Sequence, residues 1–128
     1  MVYVHSYYDY ILEVYDYVHQ ILPLSNKRED NYIAGRSMGG YGTIKFALTQ
    51  SQLFSKAAML SAVFDVSMIG QYEWYDFSPQ SVVGDANHIA GTQFDPYYLV
   101  EQVVDQHKDL PQLYICLLYT SPSPRDQR

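Results

Sequence analysis

One serine in the chain stands in a pattern that could make it a nucleophile. Residues 35–39 read GRSMG, which fits the pattern G-x-S-x-G around Ser37. An apolar run at residues 31–34 precedes the pattern, and a helical pattern begins directly after it. A serine placed between a strand and a helix in this way sits on a nucleophile elbow, a tight and strained turn that exposes its hydroxyl at the end of the strand. The residues therefore predict covalent catalysis by Ser37.

Four glycines around Ser37 are expected to serve this turn. Gly35 and Gly39 flank the serine because a side chain at either position is expected to collide across so tight a turn. Gly40 and Gly42 follow, and their lack of a side chain is expected to let the next helix lie close to the sheet. The elbow is therefore predicted to depend on close backbone packing.

The helix that begins after Ser37 is expected to stabilise negative charge that develops beside the serine. Backbone N–H groups and the dipole at a helix N-terminus favour negative charge. The N–H of Met38, the residue after the serine, is thus the expected first donor of an oxyanion hole. Two alternatives are a Gly-rich turn in which Ser37 only caps the helix, and a phosphate-binding loop. The phosphate loop is the weaker of these because its Lys-Ser/Thr ending is missing.

The elements that must position this serine follow from hydrophobic spacing and from breakers such as Pro23. Apolar residues spaced by three and four predict helices, and short apolar runs predict buried strands. The predicted helices cover residues 8–22, 38–50 and 96–107, and the predicted strands cover residues 31–34, 56–62 and 112–115. This alternation predicts the α/β class, with a parallel sheet flanked by helices.

An aromatic stretch at residues 72–77, within a loop-rich segment at residues 70–91, invites a pocket interpretation. It carries Tyr72, Trp74 and Tyr75, and loops after the strands line the ligand site in α/β folds. The equal alternative is ordinary packing of a long excursion onto the domain.

The residues around the elbow carry a family resemblance. Residues 27–42 (KREDNYIAGRSMGGYG) resemble the elbow region of the tributyrin esterases, which are small α/β-hydrolases close to the S-formylglutathione hydrolase (esterase D) group. Residues 54–58, 60–62 and 110–115 add further matches. Tyr41, where the formylglutathione enzymes tend to carry histidine, favours the tributyrin side. Arg36 departs from the small or apolar residue, or histidine, expected beside the nucleophile.

The resemblance implies a carboxylesterase that acts on short acyl esters without a cofactor. It also implies a triad in the chain order Ser, Asp/Glu, His, with the acid just past the strand that begins at Leu113. The matching pattern ends at about Cys116, so we expect the acid, the histidine and the second oxyanion donor to lie outside this chain. We expect no turnover from the 128 residues alone.

Some residues of the chain could in principle replace the missing triad members. The candidates are Asp65, Asp85, His88 and His107. We expect His107 to be a solvated residue at a helix end instead, and His88 to be a loop residue. The histidines before the serine, His5 and His19, are expected to face solvent. The four histidines are too scattered to predict a metal site.

Composition excludes several classes of function. Eight basic residues against fourteen acidic ones give a net charge of −6, which argues against a partner that binds through a nucleic-acid backbone. No apolar run is long enough to span a membrane, and the start lacks signal-peptide features, so a cytoplasmic location is expected. The single cysteine excludes an internal disulfide. The expected partner is a small acyl ester, and the sequence leaves the oligomeric state open.

The C-terminal segment differs from the rest of the chain. Residues 116–128 read CLLYTSPSPRDQR, an abrupt change to Ser, Pro and Arg. Codons for residues 116–126 can spell the transposase adapter of shotgun sequencing libraries, translated in frame. We interpret residues 116–128 as this non-native translation, with a disordered tail as the alternative. Residues 1–115 are then expected to be the central part of an α/β-hydrolase domain.

Overall fold

Three parallel strands, in the order β1-β2-β3, form a sheet in the part of the chain that the structure describes. The structure is a computed structural model and describes residues 7–65 and 88–117. Along the chain the elements are helix α1 (Tyr7–Ile21), a 3-10 turn (Arg28–Asp30), strand β1 (Tyr32–Arg36), helix α2 (Met38–Thr49), strand β2 (Lys56–Leu60), helix α3 (Pro96–Asp105) and strand β3 (Gln112–Cys116). This is the α/β architecture that the sequence predicts.

The three strands end together at one edge of the sheet. Each strand is five residues long, and Arg36, Leu60 and Cys116 are the last paired residues of the three. Ser37 and Ser61 come directly after two of these residues, so both leave the sheet at its carboxyl edge. In parallel α/β sheets this is the edge where ligands bind.

The boundaries of the strands differ from the predictions by one or two residues. Strand β1 extends to Arg36 because Gly35 and Arg36 continue the pairing with β2. Strand β2 ends at Leu60, two residues early, because Ser61 takes a left-handed φ of 48°. Strand β3 includes Cys116, the first residue of the segment interpreted as adapter.

Helix α3 begins where predicted because its first turn is capped. The carboxylate of Asp95 accepts the N–H of Tyr97 at 3.0 Å, and Pro96 occupies the first turn, where its missing N–H has no cost. The helix ends before the predicted residue 107. His107 takes a φ of 51°, and its N–H turns back to the carbonyl of Val104 at 3.0 Å.

The core lies between the sheet and helices α2 and α3. One face of α2 is buried, and it packs against the middle of β2 and one face of α3. The residues of this cluster are Ile44, Ala47, Leu48, Ala57, Met59, Leu99 and Val103. The apolar area that these residues remove from water stabilises the layer that carries the elbow.

Helix α1 is attached to the rest through a few tyrosines. The ring of Tyr8 stacks on Phe46 at 4.4 Å, and its hydroxyl is hydrogen-bonded to Thr49 Oγ1 at 2.6 Å and accepts Gln50 Nε2 at 2.7 Å. No residue of α1 is buried against the described residues. None of the helices in residues 7–65 and 88–117 is long and apolar enough to cross a membrane.

Replacement of Met59 by alanine tests the core. Met59 is 0% exposed in the central strand, so Met59→Ala should lower the free energy of unfolding by about 2–5 kcal/mol. Met38→Ala makes the same chemical change at a side chain that is 51% exposed, and it should change stability by about 0.5 kcal/mol or less. Urea unfolding measures both variants. Equal losses would contradict this description of the core.

Candidate active site

Ser37 forms the turn between β1 and α2 with an unusual backbone. Its φ is 54° and its ψ is −120°, a left-handed conformation that non-glycine residues rarely take. Holding a serine in such a region costs about 1–3 kcal/mol, and residues of this kind cluster at active sites. The strained elbow that the sequence predicts at Ser37 is therefore present in the structure.

Hydrogen bonds of the backbone hold this turn in place. The N–H of Ser37 donates to the carbonyl of Leu60 at 2.9 Å, and its own carbonyl accepts Gly40 N–H at 3.0 Å and Tyr41 N–H at 3.2 Å. The side chain makes no capping hydrogen bond to α2, and the residue is exposed. The alternative in which Ser37 only caps the helix is therefore wrong.

The two glycines that flank Ser37 differ in their packing, because Gly35 is tightly packed and Gly39 is not. A Cβ on Gly35 would overlap the carbonyl of Gly39 and lie 2.5 Å from Thr43 Oγ1, and a Cβ on Gly40 would lie 2.5 Å from the Cβ of Ala62. The expected collision at Gly39 is wrong: no described atom lies within 4 Å of a Cβ placed there. The physical reason is that Gly39 turns its carbonyl, rather than its Cα, towards the strand.

Gly42 also differs from the expectation. A Cβ at Gly42 meets none of the described residues within 4 Å, so close approach of helix and sheet is carried by Gly40 alone of these two. Thr43, which sequence reasoning missed, contributes instead. It is 3% exposed, and its hydroxyl donates to the carbonyl of Gly39 at 2.8 Å, which fixes the peptide that faces Gly35.

The first residue of α2 fits the role of an anion donor. Met38 begins the helix, and the first N–H groups of a helix have no partner within it. The N–H of Ser37 is already bonded to Leu60, so the next N–H along the chain is the candidate for an oxyanion. Together, an exposed serine hydroxyl and this N–H can perform attack on a carbonyl and stabilise the resulting charge.

The structure places His107 far from Ser37. His107 follows α3 and precedes β3, at the amino edge of the sheet, where Arg28 Nη2 donates to the carbonyl of Asp109 at 3.3 Å. Ser37 lies at the carboxyl edge, about 16 Å away along a five-residue strand. His107 is exposed, as expected for a residue at a helix end, and it cannot serve Ser37 as a base.

Among the histidines that the structure describes, His19 does not face solvent as expected. Its ring is half-buried, with Nδ1 2.8 Å from the carbonyl of Tyr15 and Nε2 3.3 Å from Asn31 Oδ1. The ring of Tyr15 lies 4.1 Å from it. These contacts join the end of α1 to the residue before β1, again at the amino edge.

The other predicted site residues divide into two groups. Asp65 and His88 are exposed, in the segments that follow β2 and precede α3. His5, Tyr72, Trp74, Tyr75 and Asp85 lie outside the described residues, so the aromatic pocket stays a prediction. Within residues 7–65 and 88–117, no three His, Cys, Asp or Glu side chains are grouped to hold a metal ion.

Two side chains of α2 hold Phe94, which sequence reasoning did not single out. The hydroxyl of Tyr41 donates to the carbonyl of Phe94 at 2.8 Å, and Nζ of Lys45 lies 4.4 Å from its ring centre. Burial, and to a lesser extent the charge of Asp95, raises the pKa of Tyr41 to about 12. Burial lowers the pKa of Lys45, and nearby Asp9 opposes this shift. The sequence indicates only that Tyr41 and Lys45 lie on the same face of the helix, through their i, i+4 spacing.

A parallel α/β sheet whose first described strand runs into a G-x-S-x-G elbow defines the class of serine hydrolases with an α/β fold. Residues 3–124 match the model of a protein family described as "Putative esterase". The chain belongs to this esterase family.

Known relatives agree with this assignment. Solved structures of FphF, a fluorophosphonate-binding serine hydrolase of Staphylococcus aureus with substrate bound, and of the S-formylglutathione hydrolase FrmB of Staphylococcus aureus are each 59% identical to the chain. Their TM-scores are 0.85 and 0.80, and each comparison covers 91% of this chain and 46% of the other. An acetyl esterase of Caldicellulosiruptor saccharolyticus is 27% identical over 80% of this chain and 41% of that protein. The chain thus spans less than half the length of these relatives.

Two glycines of the motif give a matched pair of substitutions. Gly35→Ala should disrupt the elbow and destabilise the protein by several kcal/mol, because the new methyl group overlaps a backbone carbonyl. Gly39→Ala should be neutral or stabilising by up to about 1 kcal/mol, because the site is open and alanine favours the helix. Urea unfolding compares the two variants. A Gly39→Ala variant as unstable as Gly35→Ala would contradict this difference in packing between the two glycines.

The raised pKa of Tyr41 predicts a dependence of stability on alkaline pH. The folded pKa of about 12 lies above the ordinary value near 10, so the folded state holds the phenolic proton more tightly. This contribution to stability is complete below about pH 10 and is lost as the pH rises towards about 12. The wild-type urea midpoint should therefore fall more steeply over this range than that of Tyr41→Phe. The exposed Tyr17→Phe should follow the wild type, and parallel curves for all three proteins would refute the shift.

Proposed function

We propose that the chain is the central part of a serine carboxylesterase that hydrolyses short-chain acyl esters through Ser37. The observation that carries this proposal is the strained backbone of Ser37 at the carboxyl edge, with an exposed hydroxyl that makes no capping bond. Membership of the esterase family supports it.

The proposed chemistry has two stages, acylation of Ser37 and its release by water. Ser37 Oγ attacks the ester carbonyl carbon and gives its proton to a histidine outside this chain, while the carbonyl electron pair moves to oxygen. The N–H of Met38 and the dipole of α2 stabilise this oxyanion. The tetrahedral intermediate then collapses, and the alcohol leaves with the proton from the histidine. The histidine next takes a proton from water, whose oxygen attacks the acyl-serine; the carboxylic acid leaves as this proton passes to Ser37 Oγ. None of these steps calls for a metal or cofactor.

The rest of the machinery is proposed to lie beyond this chain. The relatives are more than twice as long as the regions they share with it, which leaves room for the triad acid, the histidine and the second oxyanion donor. We propose that residues 1–115 are native and that residues 116–128 are translated adapter. Resequencing of the source DNA across codons 110–128 tests this, and an uninterrupted frame that encodes the same residues 116–128 would overturn it.

S-formylglutathione hydrolysis is the second candidate. The 59% identity to a solved S-formylglutathione hydrolase favours it, whereas Tyr41 in place of histidine favours the tributyrin esterases. The same serine attack serves a thioester. A non-catalytic, hydrolase-like binding module is the alternative from another class, and such a module should not react with a fluorophosphonate.

The test uses the full-length protein that contains this chain. We expect Ser37→Ala to abolish fluorophosphonate labelling and to lower kcat on p-nitrophenyl butyrate by about 10⁶-fold, as removal of a nucleophilic serine does. Ser61→Ala is the matched control, because Ser61 has a similar left-handed φ at the end of the adjacent strand. It should keep its labelling and activity.

The outcomes separate the candidates. A labelled Ser37→Ala protein would refute the assignment of the nucleophile, and an unlabelled wild type would favour the binding module. Comparison of kcat/KM on p-nitrophenyl butyrate and on S-formylglutathione then separates ester from thioester hydrolysis.

A further inference from the structure

We propose that Tyr41 is a positioning residue for substrate binding at Ser37. Through its phenol it fixes residues 88–95, here called the 88–95 turn, against the helix that carries the nucleophile. This inference rests on the proposed function of Ser37, and it adds a residue that acts on KM rather than on the nucleophile.

Tyr41 touches both the elbow and the turn. Its backbone N–H donates to the carbonyl of Ser37 at 3.2 Å, and its hydroxyl donates to the carbonyl of Phe94 at 2.8 Å. Tyr41 lies one turn of α2, about 6 Å along the axis, from the serine. A single half-buried residue therefore links the nucleophile, through its backbone, to a segment 53 residues further along the chain, through its side chain.

The 88–95 turn is ordered by its own hydrogen bonds. The N–H of Thr92 donates to Ile89 at 3.0 Å, the N–H of Asp95 donates to Thr92 at 3.0 Å, and the carboxylate of Asp95 accepts Gly91 N–H at 3.0 Å. Ile89 is 3% exposed and anchors one end. Because the turn is internally bonded, it moves as a unit, and its position is set by buried Ile89, by the capped start of α3 and by its attachments to α2.

Those attachments converge on Phe94. Tyr41 binds the carbonyl of Phe94, and the ammonium group of Lys45 lies over the Phe94 ring at 4.4 Å from its centre. Two residues one helical turn apart therefore contact the same residue. The phenol is the directional member of the pair, because a hydrogen bond fixes distance and angle whereas a cation over a ring tolerates sliding.

Loss of the phenol should leave the nucleophile intact. Tyr41→Phe keeps the ring and the N–H that binds Ser37, and the bond from Ser37 N–H to Leu60 involves no phenol. Only the position of the 88–95 turn relative to the elbow should change. Helix α3 runs from this turn back to the amino edge, where β3 begins, so the turn lies at the carboxyl edge, where ligands bind in parallel α/β sheets. The expected result is therefore weaker substrate binding with unchanged reactivity of the serine.

The experiment measures KM, kcat and the rate of fluorophosphonate labelling in the full-length protein. Tyr41→Phe should raise KM for p-nitrophenyl butyrate by about fivefold, the factor that one neutral hydrogen bond represents. Its kcat and labelling rate should stay within about twofold of the wild type. Lys45→Met, which loosens the same residue without touching Ser37, should raise KM by about threefold. Tyr17→Phe removes a phenol that belongs to a 61% exposed residue and should change nothing.

The readings distinguish this inference from the proposed function. A wild type that is not labelled overturns the proposed function and this inference with it. A labelled wild type whose Tyr41→Phe variant keeps its KM within twofold overturns this inference alone. A Tyr41→Phe variant that loses kcat and labelling rate together, at unchanged KM, also overturns it, because the phenol would then act on the nucleophile or on overall folding.

Discussion

The hydrogen bond from the N–H of Ser37 to the carbonyl of Leu60 is the constraint on which the candidate site depends. It extends the ladder between β1 and β2 by one residue beyond the last paired positions, and it does so while Ser37 is already in a left-handed conformation. The strain of that conformation is offset by this bond, by the two N–H groups that bind the serine carbonyl, and by the buried contacts of α2 with the sheet. The hydroxyl is thereby presented at the edge of the sheet by interactions that involve none of its own atoms.

Local patterns made the elbow predictable from the sequence. A short apolar run, a G-x-S-x-G motif and a helical pattern adjoin one another, so strand, turn and helix were each indicated by neighbouring residues. The motif alone did not show which glycine is needed for packing. Gly35 and Gly39 look equivalent in the pattern, yet only Gly35 faces a neighbouring carbonyl, because the two residues belong to a strand and a helix whose orientations differ. The spacing also could not show that Thr43 fixes that carbonyl.

Contacts between distant segments were not predictable in the same way. The bond from Tyr41 to Phe94 and the contacts of His19 with Asn31 depend on how helices pack after the sheet has formed, and periodicity carries no information about them. Topology did settle one question that the sequence left open. A histidine that follows a helix returning to the amino edge lies a full strand length from the nucleophile, whatever its distance in sequence, and His107 is such a residue.

Ser61 resembles Ser37 in two respects, one strand further along the chain. Both have a positive φ, and each donates its N–H to the last residue of the adjoining strand, Leu60 for Ser37 and Cys116 for Ser61. The chain therefore leaves the sheet at the same level of the carboxyl edge on two neighbouring strands. The segments that follow β1 and β2 thus begin side by side, next to the exposed hydroxyl of Ser37.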